Sequence, residues 1–477
     1  MRLFEFGAAC LAATMAIASH GASADDLVRN VRIVDVEAGS VGDPQDILIR
    51  EGTIVSLSPA GGAAPPDAVV HDAGGGFAIP GLWDAHVHVF SSPDEYRTAF
   101  RLYLINGITG IRDMGGLLSL ADQVAIARQV EDGSFAGPQV ILSGAWIDAP
   151  PGSWPGMFLA ATPEEGRARV NEIAGQNWAA AKSYSMLSED TYRAIADEAK
   201  RLGVRLVGHI PESVTLAAAI EAGQNGMEHF GRVTKACSTE EAAMTARVAA
   251  ALEADDPRSA MIAEMATHNR IVLETWDRVR CEQVTDAMAA AGLHVTPTLV
   301  VADFYVGTRP EADDIRMTTL PSAVREAWAE PDFRLDAMTD EIRDLADESI
   351  ALDRRTFRLA HDAGVPMIAG SDASFANPFI FHGFSLLDEL DRYVGAGLTP
   401  REALYTATVA PPRFLDLPHQ DGAVAAGRRA DIVILAANPL LDLSALRNPD
   451  MVIAGGRVFD RAALDGITQD LLDEAGR

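Results

Sequence analysis

The sequence has little positive charge for its length. Its 39 lysine and arginine residues are outnumbered by 68 aspartate and glutamate residues, which gives a formal net charge of −29. A chain this acidic repels nucleic acid and anionic membrane surfaces, because both carry negative charge themselves. We therefore expect neither as a partner.

Cysteine is also scarce, with only Cys10, Cys237 and Cys281 in 477 residues. Cys10 lies in an apolar segment near the start of the chain. Cys237 and Cys281 could form a disulfide in an oxidising compartment, or they could remain two buried thiols. The sequence leaves both alternatives open.

A long apolar run is missing as well. Arg2 precedes an apolar run over residues 7–18, and small residues follow at 22–24. The run is too short to span a bilayer, and the pattern predicts a secretory signal peptide over residues 1–24, cleaved after Ala24. This predicts a periplasmic or secreted protein with no membrane contact once the signal is removed. A weak anchor or a buried helix is the alternative, because Glu5 lies where positive charge is expected.

The remaining chain shows two kinds of sequence pattern. Residues 25–79 and 420–477 contain short apolar segments broken by glycines, which predict strands of one composite β-sandwich domain. Residues 80–419 alternate short apolar strands with helical patterns, which predicts an α/β fold, specifically a (β/α)8 TIM barrel. Residues 303–353 interrupt this alternation with charged helix formers. They predict either a helical lid inserted over the barrel mouth or an ordinary additional helix.

Side chains that can bind metal lie at the ends of the predicted barrel strands. His86 and His88 are two residues apart, so both imidazoles point to the same side of one strand. Lys182, His209, His229 and Asp372 follow at the ends of later strands. TIM barrels place their active sites at the carboxyl ends of their strands, so we expect these side chains to meet. An ammonium group at the Lys182 position is costly to bury without a partner or a modification.

These residues resemble the metal-ligand set of the amidohydrolase superfamily. Residues 107–113, 382–390, 397–404 and 426–434 are similar to its imidazolonepropionase-like and prolidase-like branch. The resemblance covers nearly the whole chain after the predicted signal. It implies a hydrolase that cleaves an amide or peptide-like C–N bond of a small-molecule substrate with a metal-activated water. Lactones and phosphoesters are cleaved by similar sites, so the resemblance does not define the substrate.

The resemblance also implies a role for each candidate ligand. His86, His88 and Asp372 would hold the more buried of two divalent ions, and His209 and His229 the second. Lys182 would carry a carbamate formed from carbon dioxide and would bridge the ions. The ligand types suit zinc best. Asp372 would also act as the general base. With an unmodified Lys182 the site is expected to hold one ion.

Three further residues are candidate substrate contacts, each with a structural alternative. Arg112 could bind substrate or could form an internal ion pair with Asp113. Tyr184 could face the pocket or the helix layer, and His382 could contact substrate or make a structural hydrogen bond. The other histidines of the barrel and β segments are interpreted as surface or packing residues: His71, His268, His294, His361 and His419.

Two other functions compete with hydrolysis. A mononuclear deaminase of the same superfamily is the first, because Glu212 follows His209 at the spacing of a proton-shuttling glutamate. Lys182 on the neighbouring strand argues against it. A barrel that serves only as a binding scaffold is the second, and the complete set of six ligand residues disfavours it. A homo-oligomer formed through the outer helices is left open.

Overall fold

The computed structural model describes residues 25–176, 178–306, 309–330, 332, 344–420 and 422–476. The predicted signal peptide, residues 1–24, lies outside the described residues and stays a prediction. Among the described residues, no helix has the length and apolar character needed to cross a membrane.

Seventeen strands are present in the described residues. In chain order they are β1 Asp26–Asp35, β2 Ser40–Arg50, β3 Thr53–Pro59, β4 Val69–Asp72, β5 Phe77–Pro80, β6 Leu82–Val87, β7 Ile108–Asp113, β8 Gln139–Leu142, β9 Trp146–Asp148, β10 Phe158–Leu159, β11 Ala180–Ser183, β12 Arg205–Gly208, β13 Gly226–Glu228, β14 His294–Thr296, β15 Ile432–Leu435, β16 Met451–Ala454 and β17 Arg457–Asp460.

Helices lie between the strands and in two insertions. The α-helices are α1 Glu95–Ile105, α2 Leu120–Glu131, α3 Pro163–Gly175, α4 Glu189–Leu202, α5 Leu216–Ala222, α6 Gly231–Ala236, α7 Glu241–Ala251, α8 Pro257–Met265, α9 His268–Thr275, α10 Arg278–Ala291, α11 Ala302–Val306, α12 Ile315–Thr318, α13 Ser322–Ala329, α14 Ala346–Asp362, α15 Phe384–Gly395, α16 Pro400–Thr408, α17 Ala410–Phe414 and α18 Arg461–Ala475.

The centre of the molecule is a closed parallel barrel. Parallel pairs join β6 to β7, β7 to β8, β11 to β12 and β13 to β14. Backbone hydrogen bonds link the remaining neighbours, from Ala179 to Leu142 and from Asn225 to Leu206. Residues 366–373 take the eighth strand position and close the barrel. Met367 pairs with Val295 of β14, and Ala373 pairs with Val87 of β6. The predicted (β/α)8 barrel is confirmed.

The sequence of the barrel strands explains their burial. Every residue of β6 and β7 is buried, as expected for parallel strands that are covered on both faces. The helices between strands have clear boundaries, and α4 is an example. Ser188 caps its first turn by accepting a hydrogen bond from the Thr191 amide, and Gly203 ends it in the left-handed conformation.

The two ends of the chain form one sheet beside the barrel. Its strand order is β17-β16-β15-β5-β1-β2-β3, and β4 also pairs with β1. The antiparallel pair of β5 with β15 joins the first segment to the last. The strands form one continuous sheet that curls, instead of the two separate sheets of a sandwich. The Ile54 amide donates to the Arg428 carbonyl and the Ala430 amide to the Gly52 carbonyl, and these bonds join the β3 end of the sheet to the segment before β15. The chain then ends in helix α18, which the sequence pattern did not predict.

Two insertions contribute residues to the wall of the cavity at the mouth of the barrel. The first, α6 to α9, lies between β13 and β14 and was not predicted. A disulfide joins Cys237 at its start to Cys281 in α10, which selects one of the two alternatives left open by the sequence. The second covers the described part of residues 303–353 and is helical. In α13, the Trp328 indole donates to the Phe375 carbonyl, and Leu352 of α14 lines the cavity below. Both alternatives for this segment, a lid or an ordinary additional helix, stay open.

Candidate metal centre

The four histidines predicted as ligands form a continuous row at the carboxyl ends of the strands. The ring centroids of His88 and His86 are 5.3 Å apart, those of His86 and His229 are 5.1 Å apart, and those of His229 and His209 are 4.8 Å apart. Asp372 joins the row at its first two members. Its Oδ1 lies 3.3 Å from His86 Nε2 and 3.4 Å from His88 Nε2. The predicted ligands therefore converge on one region.

Every ring in this row is oriented by a contact at Nδ1. The partners of Nδ1 are Glu228 Oε2 for His86 at 2.8 Å, the Gly115 carbonyl for His88 at 2.7 Å, Ser185 Oγ for His209 at 2.8 Å and Thr298 Oγ1 for His229 at 2.8 Å. Histidine ligands of metals are usually held by such outer contacts, which fix the tautomer and the ring orientation. The Nε2 atoms are thus left for the site.

The contacts of His86 and His88 with Asp372 fit a shared cation. A carbonyl oxygen can only accept, so His88 donates from Nδ1 to Gly115, and its Nε2 is the ring nitrogen that faces Asp372. The Nε2 atom of His86 is buried and has no hydrogen-bond partner among the described residues. A divalent cation bound by these three side chains fits the arrangement.

The electrostatics of the site keep the ligands in their metal-binding forms. Burial holds the pKa values of His86 and His209 well below the ordinary histidine value and also lowers that of His229. Burial opposes ionisation of Asp372, but the His86, His88 and His229 rings outweigh it and hold the pKa of this carboxyl below its ordinary value. Neutral imidazoles and an ionised carboxylate are the forms that bind metal ions.

Lys182 lies fully buried beside the histidine row. Its Nζ donates to the Met114 carbonyl at 3.1 Å, and it forms no ion pair with any of the described residues. The nearest aromatic ring is that of Trp146, whose centroid lies 5.1 Å from Nζ. Burial lowers the pKa of Lys182 to about 8, against the opposing influence of Glu228 and Asp372. The predicted need for a modification or a partner is consistent with this environment.

Two glycines allow the ligands to approach. A Cβ atom at Gly370 would lie 2.7 Å from the His86 amide nitrogen and 2.8 Å from its Cβ. At Gly208, with φ of +105°, a Cβ would lie 2.7 Å from Lys182 Cγ. His229 and Asp372 themselves adopt φ values of 66° and 62°. Such left-handed residues are uncommon outside glycine and concentrate at functional sites.

Comparison with known proteins identifies the family. The amidohydrolase family matches residues 77–459, which is most of the chain. The chain belongs to this family. An adenine deaminase from Listeria monocytogenes is 31% identical over 198 residues. The matched region covers 41% of this chain and only 33% of the length of that relative. Ochratoxinase from Aspergillus niger is 24% identical over 446 residues, which cover 80% of this chain and 75% of that enzyme.

Solved structures show the same fold. A bottromycin amidohydrolase aligns with a TM-score of 0.70 at 22% identity, over 94% of this chain and 90% of that one. A Xaa-Pro dipeptidase with bound methionine in its active site aligns with a TM-score of 0.63 at 18% identity, over 92% and 100% of the two chains. At these identities the likeness supports the architecture of the amidohydrolase and nothing finer.

Arg112 does not face the cavity of the amidohydrolase. It is 1% exposed, and its guanidinium lies 2.9 Å from Glu228 Oε1 and donates to the Ala85 carbonyl. The structural alternative therefore describes Arg112 better than a substrate contact does, although its partner is Glu228 rather than Asp113. Glu228 was missed in the sequence. It connects Arg112 to His86, because its second oxygen accepts from His86 Nδ1.

His382 is also enclosed by protein. Its Nε2 lies 2.9 Å from Glu95 Oε1 and its Nδ1 lies 2.7 Å from the Tyr103 hydroxyl, and all three side chains are fully buried. The structural hydrogen bond is therefore the better description of His382. The network holds the loop after Asp372, since Glu95 Oε1 also accepts from the Phe375 amide at 2.5 Å.

Tyr184, the third candidate substrate contact, does line the cavity. This cavity has a volume of ≈ 1190 Å³ and opens from the histidine row. The Tyr184 ring stacks on His209 with centroids 4.1 Å apart, and its hydroxyl accepts from the Trp154 indole at 2.9 Å. The cavity wall beyond Tyr184 is made by the two insertions, including His268, which the sequence suggested was only a packing or surface residue.

Proposed function

We propose that this amidohydrolase is a metal-dependent hydrolase that cleaves an amide or peptide-like C–N bond of a small-molecule substrate. The observation that carries the proposal is the shared-cation geometry of His86, His88 and Asp372 at the base of a large cavity. The similarity to ochratoxinase and to the dipeptidase fold supports the choice of bond.

The proposed centre holds two divalent ions, and its ligand types suit zinc best. His86, His88 and Asp372 would hold the more buried ion, His209 and His229 the second, and Lys182, as its carbamate, would bridge them. When bound, such ions activate water and polarise the carbonyl group of the substrate. A carbamate would replace the buried ammonium of Lys182 with an anion. This change would remove the cost of burying an unpaired cation among the neutral rings.

The chain's own residues can then carry the proton. The Asp372 carboxylate would accept a proton from the attacking water at Oδ2 or Oδ1 and would deliver it to the leaving nitrogen. Glu228 and the carbonyl of Gly115 would keep the His86 and His88 rings fixed while this happens, because they hold Nδ1 of each ring. The apolar parts of the cavity wall would limit access of bulk water.

Deamination is the second candidate, and the contacts of Glu212 argue against it. Its Oε2 lies 3.1 Å from Lys235 Nζ and 3.4 Å from the Arg232 guanidinium. Burial raises the pKa of the Glu212 carboxyl, but these two cations outweigh burial and lower this pKa overall. A carboxylate held in this way is a poor proton shuttle. Hydrolysis by the binuclear centre therefore remains the better proposal, despite the similarity to an adenine deaminase.

We also propose that the protein is exported. The pattern of residues 1–24 supports this location, and so does the disulfide between Cys237 and Cys281, because disulfides persist mainly in oxidising compartments. The net charge of −29 supports the absence of nucleic acid and membrane partners. A homo-oligomer stays a prediction.

The metal content of Lys182→Ala tests the binuclear centre. Protein purified with bicarbonate and without chelators is expected to contain about two zinc ions per chain, and the variant one ion or fewer, because the bridging anion is lost. Elemental analysis by mass spectrometry measures this directly. Lys200→Ala, which removes an exposed lysine of α4, is the matched control and should keep both ions. One ion in both wild type and Lys182→Ala would contradict the carbamate bridge and would revive the deaminase alternative.

A further inference from the structure

The distribution of lysine in this chain is unusual. Only three lysines occur, at positions 182, 200 and 235, among 39 cationic residues. Lys200 is exposed on α4, whereas Lys182 and Lys235 both line the cavity that opens from the histidine row. The proposed function uses Lys182. It gives no role to Lys235.

Lys235 belongs to a compact cluster with Arg232 and Glu212. Both cations lie on α6, which begins two residues after His229, and Glu212 follows His209 by three residues. The side chains are nearly buried, with 8% exposure for each cation and 12% for the carboxylate. The cluster therefore adjoins the strands that carry the second pair of histidines, and all three residues face the same cavity.

The charges within this cluster do not balance. Glu212 supplies one carboxylate, and its Oε2 is shared by Lys235 Nζ and the Arg232 guanidinium. Arg232 also donates to the Val214 carbonyl, but its Nε is buried without a hydrogen-bond partner among the described residues. One positive charge and one buried donor are therefore left over.

Neighbouring groups do not neutralise this excess. Glu241 lies 2.8 Å from the Arg280 guanidinium, and Glu264 lies 2.6 Å from that of Arg247. His268 adds no charge near neutral pH, since burial, with Lys235 acting in the same direction, lowers its pKa to about 4. Asp353 accepts from Thr234 Oγ1 and forms no ion pair with either cation in the described part of the chain.

The walls around the cluster are apolar. Met265, Val272 and Leu273 of the first insertion line this cavity, and Leu352 of the second insertion packs in one cluster with Val272. Burial among such groups lowers the pKa of Lys235 to about 8, against the influence of Glu212. Charge-assisted hydrogen bonds are stronger in surroundings of this kind than in water. An anion that entered here would gain two such donors.

We propose that Arg232 and Lys235 form an anion subsite that binds a carboxylate of the substrate, and that Glu212 occupies this subsite in the free enzyme. The inference rests on the proposed function, because it names the substrate class for the same cavity. The expected substrates are amides that carry a free carboxylate, such as N-acyl amino acids, rather than neutral amides. Glu212 would compete with the substrate carboxylate for Arg232 and Lys235.

The test compares acids with their neutral amides, by binding and by turnover. Isothermal titration calorimetry on the metal-loaded protein would measure 4-phenylbutyrate and 4-phenylbutanamide, which differ only in the charged group. Hydrolysis would be measured on N-acetyl-L-leucine and N-acetyl-L-leucinamide, followed by release of acetate. The substitutions leave all six candidate metal ligands unchanged, so differences between variants report the subsite.

Lys235→Met is expected to weaken binding of the acid about tenfold or more, because one charge-assisted hydrogen bond is lost. Binding of the neutral amide should change less than about twofold. It leaves Glu212 paired with Arg232, so folding should be preserved. Lys235→Arg should restore most of the affinity for the acid. Glu212→Gln should bind the acid several-fold more tightly, because the competing charge is removed. Lys200→Met, the matched control, should behave as wild type.

The two proposals fail in different ways. If the acid is bound selectively through Lys235 but no amide is hydrolysed, the subsite stands and the proposed function is wrong. If amides are hydrolysed with no preference for the acid, and Lys235→Met changes acid and neutral amide equally, the subsite is wrong and the hydrolase stands. Unchanged acid affinity in both Lys235→Met and Glu212→Gln would also overturn the subsite.

Discussion

Asp372→Asn is expected to abolish most of the hydrolytic activity, with a fall in kcat of roughly 10³-fold. The substitution removes the charge that faces both His86 Nε2 and His88 Nε2, and it removes the group that we assign to proton transfer. Asparagine has nearly the same shape, so the fold should be retained. The measurement is kcat on the best amide substrate, together with zinc content per chain.

A control separates this effect from a general loss of negative charge. Asp190 lies exposed in the first turn of α4, away from the cavity, and Asp190→Asn should leave kcat and zinc content unchanged. A variant Asp372→Asn that keeps its metal but loses activity would support the proton-transfer role. Activity within tenfold of wild type would contradict the assignment of Asp372 as the general base.

The barrel, and the closeness of the candidate ligands in it, could be predicted because the signals are local. His86 and His88 lie two apart on one strand, and the later ligands each end an apolar segment. Parallel strands of a barrel bring their carboxyl ends together, so local patterns were sufficient to place the site. The sequence does not reveal which way a side chain at a strand end points. Arg112 and Tyr184 looked equivalent for this reason, yet Arg112 points into the protein and Tyr184 into the cavity.

The outer parts of the site depend on contacts between distant segments. Glu228 adjoins His229 in sequence, but its partners His86 and Arg112 are 142 and 116 residues away. The cluster of Glu212, Arg232 and Lys235 exists only because the first insertion folds over the barrel mouth. No periodicity marks such pairs. A charged residue next to a ligand, with no complementary charge nearby in the sequence, is the one signal that could have drawn attention to them.

Arg112→Met is expected to reduce the free energy of unfolding by about 3–5 kcal/mol, since it leaves the Glu228 carboxylate buried without its partner. Both side chains are essentially inaccessible, and the guanidinium also donates to Ala85 and Thr296. Chemical denaturation of the metal-loaded protein measures the change. Arg193→Met, which breaks an exposed ion pair with Glu189 on α4, should cost less than about 1 kcal/mol. Equal losses for the two variants would contradict a special role for the buried pair.

The double variant Arg112→Met/Glu228→Gln separates stability from metal binding. Replacing the carboxylate with a neutral amide removes the uncompensated charge, so the double variant should recover much of the stability lost in Arg112→Met. The carboxylate that orients His86 through Nδ1 is lost at the same time, and zinc affinity should fall about 10- to 100-fold. Competition with a chromogenic chelator measures that affinity. If stability and affinity recovered together, Glu228 would serve only to neutralise Arg112, and His86 would need no outer partner to bind its ion.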